Sequence, residues 1–329
     1  MTHSFKAYVL NEQNGNIKGS FKTLTMSDLP EGDVTIQVHY SSLNYKDMLS
    51  VQNDNKIIRN YPMIPGIDLA GVVIDSHHPS FKEGDEVIAT GYDLGVAHAG
   101  GYSEITRVKG DWLVPLPKGL TLEEAMIIGT AGFTAAVSIQ LLEDNKITSG
   151  GGPVLVRGAT GGVGALATMM LNALNYKVTA SSGQTEQYDW LKSLGAREVI
   201  GRLEEVTDKP LQTSQWQAIV DPVGGPTVGE CLKHVLPHGA IALSGNVSGV
   251  DFQSSVFPFI LRGVKLLGVD SVNFPMKRRL LLWRRLATDL KPQQLHDIKT
   301  VVPFEELETH LQALKDNQVH GRIVVKMTT

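Results

Sequence analysis

Apolar and polar residues alternate in the first third of the chain. Val34, Ile36 and Val38 are separated by Thr35, Gln37 and His39, the period of a strand with one buried face. Phe5 to Leu10, Leu69 to Ile74 and Glu86 to Ala89 predict further strands, with a hairpin-type turn at Gly84-Asp85. Tyr61 to Gly66, with two prolines, breaks regular structure, and Pro115 and Pro117 close the β-rich stretch. The period then becomes helical. Thr121-Leu122-Glu123-Glu124 is a capping box, and its helix runs through Met126 to Ile128, past the small residues Gly129 to Gly132, to Leu142.

Beyond residue 150, strands and helices alternate. Strands are predicted at Pro153 to Arg157, Tyr176 to Ala180, Glu198 to Ile200, Ala218 to Asp221, Ile241 to Ser244, Lys265 to Val269 and Gly321 to Val325. Helices are predicted at Ala165 to Leu174, Tyr188 to Leu194, Val228 to Leu236 and Phe304 to Lys315. Such alternation builds a doubly wound parallel sheet. The expected division is a β-rich domain of residues 1–124 with 301–329, and an α/β domain of residues 125–300.

The sharpest local signal lies at the first strand of that second domain. Gly158, Gly161, Gly162 and Gly164 fall within seven residues, between a β-branched run and an apolar helical pattern. A dinucleotide pyrophosphate must lie against the free N–H groups at a helix start, where a Cβ would hold the backbone away. The spacing is a relative of G-x-G-x-x-G, and turns of this kind also serve other nucleotides, S-adenosylmethionine among them. The next strand ends in Ser181-Ser182-Gly183-Gln184. An NAD site would place a carboxylate there; small hydroxyl residues leave room for a ribose 2′-phosphate, so the expected cofactor is NADP(H).

Composition narrows the field. With 30 Lys and Arg against 34 Asp and Glu the net charge is −4, which argues against a nucleic-acid partner. The basic cluster Lys277-Arg278-Arg279 with Arg284-Arg285 reads as the solvated face of an amphipathic helix. A single cysteine, Cys231, excludes an internal disulfide and any multi-cysteine zinc site, and its helical setting suggests buried packing. Residues 1–5 show no basic segment leading into an apolar core, and no apolar run approaching about 18 residues was expected. A cytoplasmic protein without membrane contact is the expectation. His98, in the glycine-rich stretch of residues 91–101, is a candidate catalytic residue, though a loop histidine is the simpler reading.

Four motifs carry a resemblance along the whole chain: Ser42 to Asp47 (SLNYKD), Ile64 to Gly71 (IPGIDLAG), Ile128 to Thr134 (IGTAGFT) and Pro258 to Val264 (PFILRGV). Together they resemble the medium-chain dehydrogenase/reductase superfamily, in its zinc-independent acrylyl-CoA reductase (NADPH) and quinone oxidoreductase branch. The resemblance implies a GroES-like β-rich catalytic domain plus a Rossmann domain. Zinc members carry a cysteine ligand where this chain has Asn44 and a His-Glu pair where it has Ile67-Asp68. Neither Asn44 nor Ile67 can ligate zinc as a thiolate or imidazole does, so no metal is expected.

By the same resemblance NADPH contacts Tyr45, Thr130, Thr160, Gly161, Gly162, Val163, Ser182, Gly183, Gln184, Arg202, Asn246, Ile260, Ser271 and Asp316. Gln184 departs from the branch, which often has arginine there, and this weakens the expected preference for the 2′-phosphate. Asn44 and Tyr45 are the candidate catalytic donors in a cleft between the domains, with Asp47 fixing their loop. The implied activity is reduction of small activated alkenes, acryloyl-CoA-like enoyl thioesters above all. Quinone reduction and a non-enzymatic NADPH-binding role are the alternatives. A homodimer is implied, formed by edge pairing near Lys265 to Val269.

Overall fold

Asn14 and Gly15 both adopt left-handed backbone (φ 54° and 78°), and this tight turn folds β1 (Ser4–Gln13) back on β2 (Asn16–Thr25). The Asn-Gly pair is a strong hairpin signal, and β2 lay beyond the sequence expectation. The computed structural model describes residues 4–53, 56–203 and 207–327; residues 1–3, part of the stretch inspected for a leader, lie outside them.

The first compact unit comprises Met1–Thr130, Val272–Ala287 and Leu295–Thr329. After the hairpin it holds β3 (Val34–Ser42), α1 (Tyr45–Ser50), β4 (Asp68–Ser76), β5 (Glu86–Thr90), β6 (Ile105–Val108) and β7 (Leu113–Pro115). As the alternation predicts, Val34, Ile36 and Val38 are fully buried, and they pack in one core with Leu10, Leu69, Tyr102 and Phe304. Helix α2 (Leu122–Asp144) is interrupted at Gly129, whose backbone is non-helical (φ 48°, ψ −157°). By length and composition α2 could cross a membrane, contrary to expectation, but 83% of its apolar window is buried inside the protein.

The second unit comprises Ala131–Ser271 and Thr288–Gln294. Its strands are β8 (Pro153–Val156), β9 (Lys177–Ser181), β10 (Glu198–Ile200), β11 (Trp216–Asp221), β12 (Val235–Leu243) and β13 (Lys265–Gly268), joined through α3 (Gly162–Ala173), α4 (Tyr188–Ser193), α5 (Thr227–Lys233) and α6 (Phe257–Arg262). They form one parallel sheet in the order β10-β9-β8-β11-β12-β13, the doubly wound arrangement. The order reverses between β8 and β11, and ligands of such sheets bind outside the strand ends at that switch point. Helix α5 ends three residues before the expected Leu236, because Val235 already pairs with Trp216. Cys231 is fully buried, and burial pushes its thiol up to about 12, so it packs as an apolar side chain.

The chain completes the first unit with α7 (Met276–Leu286), β14 (Lys299–Pro303), α8 (Leu307–Lys315) and β15 (Arg322–Lys326). The sheet there runs β14-β15-β3-β4-β5-β7, with β6 also on β3. Residues 272–287 and 295–300 therefore pack with the β-rich unit, and so do residues 125–130; all were expected in the other domain. Arg279 supplies the reason and a second correction. It is fully buried rather than solvated, donates to the carbonyl and hydroxyl of Thr90 (2.9 Å each) and to Val272 O (3.0 Å), and lies over the Tyr92 ring.

Candidate active site

Asn44 lies two residues beyond β3 and caps α1, and Asp47, three residues on, turns back to accept the Asn44 backbone N–H at 2.9 Å. This half of a capping box leaves Tyr45 at the first helical position, 40% exposed, its hydroxyl without a hydrogen-bond partner among the described residues. Asn44 differs. Its side-chain nitrogen donates to Asp68 Oδ2 (2.7 Å) and Asp47 Oδ2 (3.2 Å), and its side-chain oxygen accepts from Arg322 at 3.3 Å. Reversing the amide would set a donor against the guanidinium, so the orientation is fixed by charge.

Asp68 is the hub. Fully buried, it accepts from the Ser42 hydroxyl (2.6 Å), Asn44, the Thr130 N–H (2.9 Å) and the Thr130 hydroxyl (2.5 Å). Arg322 lies 3.9 Å away and donates to Ser42 Oγ (2.8 Å), Leu43 O (2.8 Å) and Ile127 O (2.9 Å). In an unbroken helix the Thr130 N–H would reach the Met126 carbonyl. Here Asp68 takes that N–H and Arg322 covers the carbonyl side, so the cluster closes both ends of the break at Gly129. Asp47 also accepts from the Ile67 N–H at 3.0 Å. Burial first, then the Asp68 carboxylate, pushes the Asp47 carboxyl up to about 7. Burial beside both carboxylates likewise raises the Tyr102 phenol well above its ordinary value.

The expected amide donor is thus already committed: both Asn44 side-chain hydrogens are held by carboxylates. Thr130, expected on the cofactor, spends its hydroxyl hydrogen on Asp68, and Asp316 caps α8 and receives Gln312 at 3.0 Å. His98 rests its two ring nitrogens on the carbonyls of Ala99 and Glu31 (3.1 Å each), a structural setting. Asp68, Arg322 and Tyr102 escaped the sequence reading. The available signal was a carboxylate opening an apolar strand and an arginine opening another, because a buried charge demands a partner.

In the second unit, Gly158 is left-handed (φ 55°) and α3 starts at Gly162 with Gly161 as its cap, which brings no side chain to the helix end. The first N–H groups of α3 have no intrahelical partner, and Gly161 is exposed while Gly162 and Val163 are half-buried. A Cβ at Gly164 would meet Gly158 O at 2.3 Å and Ala159 Cα at 2.7 Å, so the glycine permits the turn to close on itself. Ser182 follows β9 with its N–H on Ile200 O (3.1 Å), and its hydroxyl accepts the Gln184 N–H (3.1 Å) within 3.4 Å of the Thr160 hydroxyl. That tie sets exposed Arg202 against Gly183, where an added Cβ would lie 2.3 Å from Nε. Among the described residues the buried side-chain oxygen of Gln184 has no partner, an acceptor suited to a ribose hydroxyl.

Asn246 and Ile260 are exposed, the latter 68%, and Ser271 accepts the Thr134 hydroxyl at 2.7 Å. At the switch point the structure adds an unforeseen pair. Arg157, nearly buried, binds Asp221 and the Thr227 hydroxyl, while Asp221 Oδ1 accepts the N–H groups of Val223 (2.9 Å) and Gly224 (3.0 Å). This ion pair fixes the loop after β11 beside the glycine turn.

A metal does not fit. Among the described residues no three His, Cys, Asp or Glu side chains gather to hold one, and the carboxylates of Asp47 and Asp68 already accept protein donors. The glycine turn, by contrast, fits a dinucleotide phosphate through the cradle its missing Cβ atoms leave.

Comparisons with known proteins agree with the architecture. Residues 30–118 match the alcohol dehydrogenase GroES-like domain and residues 162–286 the zinc-binding dehydrogenase family. Acrylyl-CoA reductase AcuI of Ruegeria pomeroyi is 42% identical over 98% of this chain and 98% of its own. The crystal structure of Bacillus subtilis protein YhfP with NAD bound has a TM-score of 0.97 at 48% identity, covering 99% of this chain and 100% of that one. The YhdH oxidoreductase of Salmonella enterica in complex with NADP has a TM-score of 0.95 at 44% identity, over 98% and 100% of the two chains. With such similarity along nearly its entire length, the chain belongs to the medium-chain dehydrogenase/reductase superfamily, beside AcuI and YhfP.

Proposed function

We propose that the protein is a zinc-independent, NADPH-dependent reductase of small activated alkenes, with acryloyl-CoA-like enoyl thioesters as its main substrates. The observation that carries this reading is the closed amide–carboxylate cluster of Asn44, Asp47 and Asp68, which stands where the family resemblance puts zinc ligands. Without a Lewis acid to polarise an alcohol or ketone, reduction of a C=C bond conjugated to a carbonyl is the better-suited chemistry. The relationship to AcuI supports the substrate class.

NADPH, when bound, supplies a hydride to the β-carbon. The chain's own part is binding and proton handling. The free N–H groups at Gly162 and Val163, with Thr160 and Gly161 beside them, hold the pyrophosphate on the helix start. Arg202 and Ser182 receive the 2′-phosphate, while the orphaned oxygen of Gln184 accepts from a ribose hydroxyl and so tolerates NAD as well. Arg157 and Asp221 hold the neighbouring loop in place. Charge builds on the thioester oxygen as the β-carbon is reduced, an O–H donor stabilises it, and a proton taken up from that donor or from solvent completes the reduction at the α-carbon. Asn44 has no hydrogen to spare, so this role moves to Tyr45, whose phenol is exposed and uncommitted; Asn44 and Asp47 position it.

NADPH consumption with a panel of enoyl-CoA esters and quinones tests the reading. Acryloyl-CoA turnover exceeding quinone turnover supports it, whereas quinone turnover alone favours a quinone reductase, the name YhfP carries. Tyr45→Phe keeps the ring and deletes the hydroxyl. The expected result is a lower kcat with little change in KM for NADPH, and wild-type kinetics would remove Tyr45 from the chemistry.

The same reading includes a cytoplasmic homodimer. Strand β13 is the edge of its sheet, and Val256, Phe257, Ile260 and Leu261 beside it in sequence are exposed apolar residues suited to cover by a second copy. Light scattering on the purified protein checks it.

A further inference from the structure

Arg157 stands directly before the glycine turn, where a free cation would meet the pyrophosphate, yet its charge is spent inside the protein. The side chain is nearly buried, and its guanidinium donates to Asp221 Oδ2 through one nitrogen and to the Thr227 hydroxyl through the other. Asp221, at the end of β11, is fully buried. A buried ion pair is weak evidence for stability, so its use is to be sought in what it holds.

It holds two loops. The second carboxylate oxygen of Asp221 accepts the N–H groups of Val223 and Gly224 (2.9 and 3.0 Å), and the chain then turns through Gly224 and Gly225, both left-handed (φ 67° and 71°). Val223 comes to rest on the glycine turn, so close that a Cβ at Gly158 would lie 2.9 Å from Val223 Cγ2. On its other side this loop carries the segment after β12. The Ser244 N–H donates to Asp221 O and the Ser248 N–H to Val223 O (2.9 Å each), while a Cβ at Gly224 would run into Gly245 O and one at Gly245 into Pro222 O. Backbone packed on backbone has no side chain to give way, so a shift in one loop shifts the other. Exposed Asn246 rides on the second loop.

The sheet order says which part of a dinucleotide these loops face. Ser182 and Arg202, the proposed partners of the 2′-phosphate, follow β9 and β10 on one side of β8; the loops held by Asp221 follow β11 and β12 on the other. With the pyrophosphate at the start of α3 and the adenosine over β9, the nicotinamide half extends over β11 and β12. We propose that Arg157 is a positioning residue for the nicotinamide half of the cofactor: through Asp221 it holds residues 222–226 and 244–248 in the shape on which the nicotinamide riboside docks. This rests on the NADPH reading of the site.

Two variants test it. Arg157→Lys keeps a cation beside Asp221 but lacks the planar fork that also reaches Thr227, and Thr227→Val removes that second arm alone. For each, the affinity for NADPH is compared with that for 2′,5′-ADP, which carries the adenosine and its 2′-phosphate and lacks the nicotinamide half. The expected result for Arg157→Lys is a Kd for NADPH raised about tenfold, with the Kd for 2′,5′-ADP within about twofold of the wild type. Thr227→Val should show a smaller loss of the same kind, and it decides by the same comparison if Arg157→Lys fails to fold. An equal loss for both ligands overturns the proposal, because the ion pair then serves the whole cradle. Unchanged NADPH affinity overturns it as well, while the NADPH reading stands. Wild-type protein that binds neither ligand removes that reading and this proposal with it.

Discussion

The carboxylate cluster of the first unit and the glycine turn of the second handle polar groups in opposite ways. Around Asp68 almost every donor and acceptor is spent inside the protein, from Ser42, Asn44 and Thr130 to the buried guanidinium of Arg322. At Gly161 to Val163 the helix start is left uncapped by any side chain, and Gln184 keeps a buried acceptor without a partner among the described residues. A closed network stabilises a shape; an open one waits for a ligand. Asn44 and Asp68 thus serve as scaffold in the first unit, while the helix start of the second carries no side-chain cap.

If the cluster is scaffold, Arg322→Met should have the largest effect on stability, because it strands two buried carboxylates. About 3–5 kcal/mol is the expected loss, read by urea unfolding; a loss below about 1 kcal/mol breaks the comparison on the closed side. Gly164→Ala tests the open side. With a Cβ driven against backbone atoms, a loss of about 1–3 kcal/mol should accompany a much weaker NADPH affinity in a fluorescence titration. Wild-type binding by that variant would mean the turn is no cradle.

Asp47→Asn sharpens the electrostatics. The Asp47 carboxyl is raised from its unfolded value of 3.8 to about 7, so the folded state holds its proton more tightly than the unfolded chain. That contribution is complete below about pH 4 and lost as pH rises through 7. Asp68, Tyr102 and Arg322 face the same cluster and set the background. The melting temperature of the wild type relative to the variant should therefore fall between pH 5 and pH 8. A constant difference across that range would show Asp47 to be ionised throughout.

Arg202→Ala should lower the NADPH/NADH ratio of kcat/KM by about five- to tenfold, a modest change because Gln184 offers no second cation; an unchanged ratio moves the phosphate contact elsewhere. The smallest effect is expected from a chelator. Dialysis against EDTA should leave activity as it was, and loss of activity restored by zinc alone would reverse the reading of Asn44 and Ile67.

Much of this was legible in the sequence because it is local. The alternation of strands and helices, the glycine turn and the Thr121–Glu124 capping box depend on residues a few positions apart. The partners of Asp68 were not. Ser42, Thr130 and Arg322 are drawn together only by the sheet and the broken helix, and Arg322 in particular looks like any charged residue opening an alternating strand. The basic helix failed for the same reason: one residue of its cationic run, Arg279, faces inward onto Thr90 and Tyr92. Asn44 was expected as a donor on a loop fixed by Asp47; it caps α1, and its chemistry depends on neighbours that the local sequence does not name.

The break at Gly129 has an evolutionary consequence. A Cβ there would lie 2.5 Å from Asp68 Oδ2 and 2.7 Å from both the Arg322 guanidinium and Ser42 Oγ, in a left-handed conformation that already favours glycine. Substitution at residue 129 and substitution at residue 68 are therefore not independent events: either alone meets a clash or an orphaned charge, and only a joint change can cross between the two solutions. Lineages that keep the carboxylate at 68 should keep the glycine at 129, and a chimera that takes one from this protein and the other from a distant relative should fold worse than either parent.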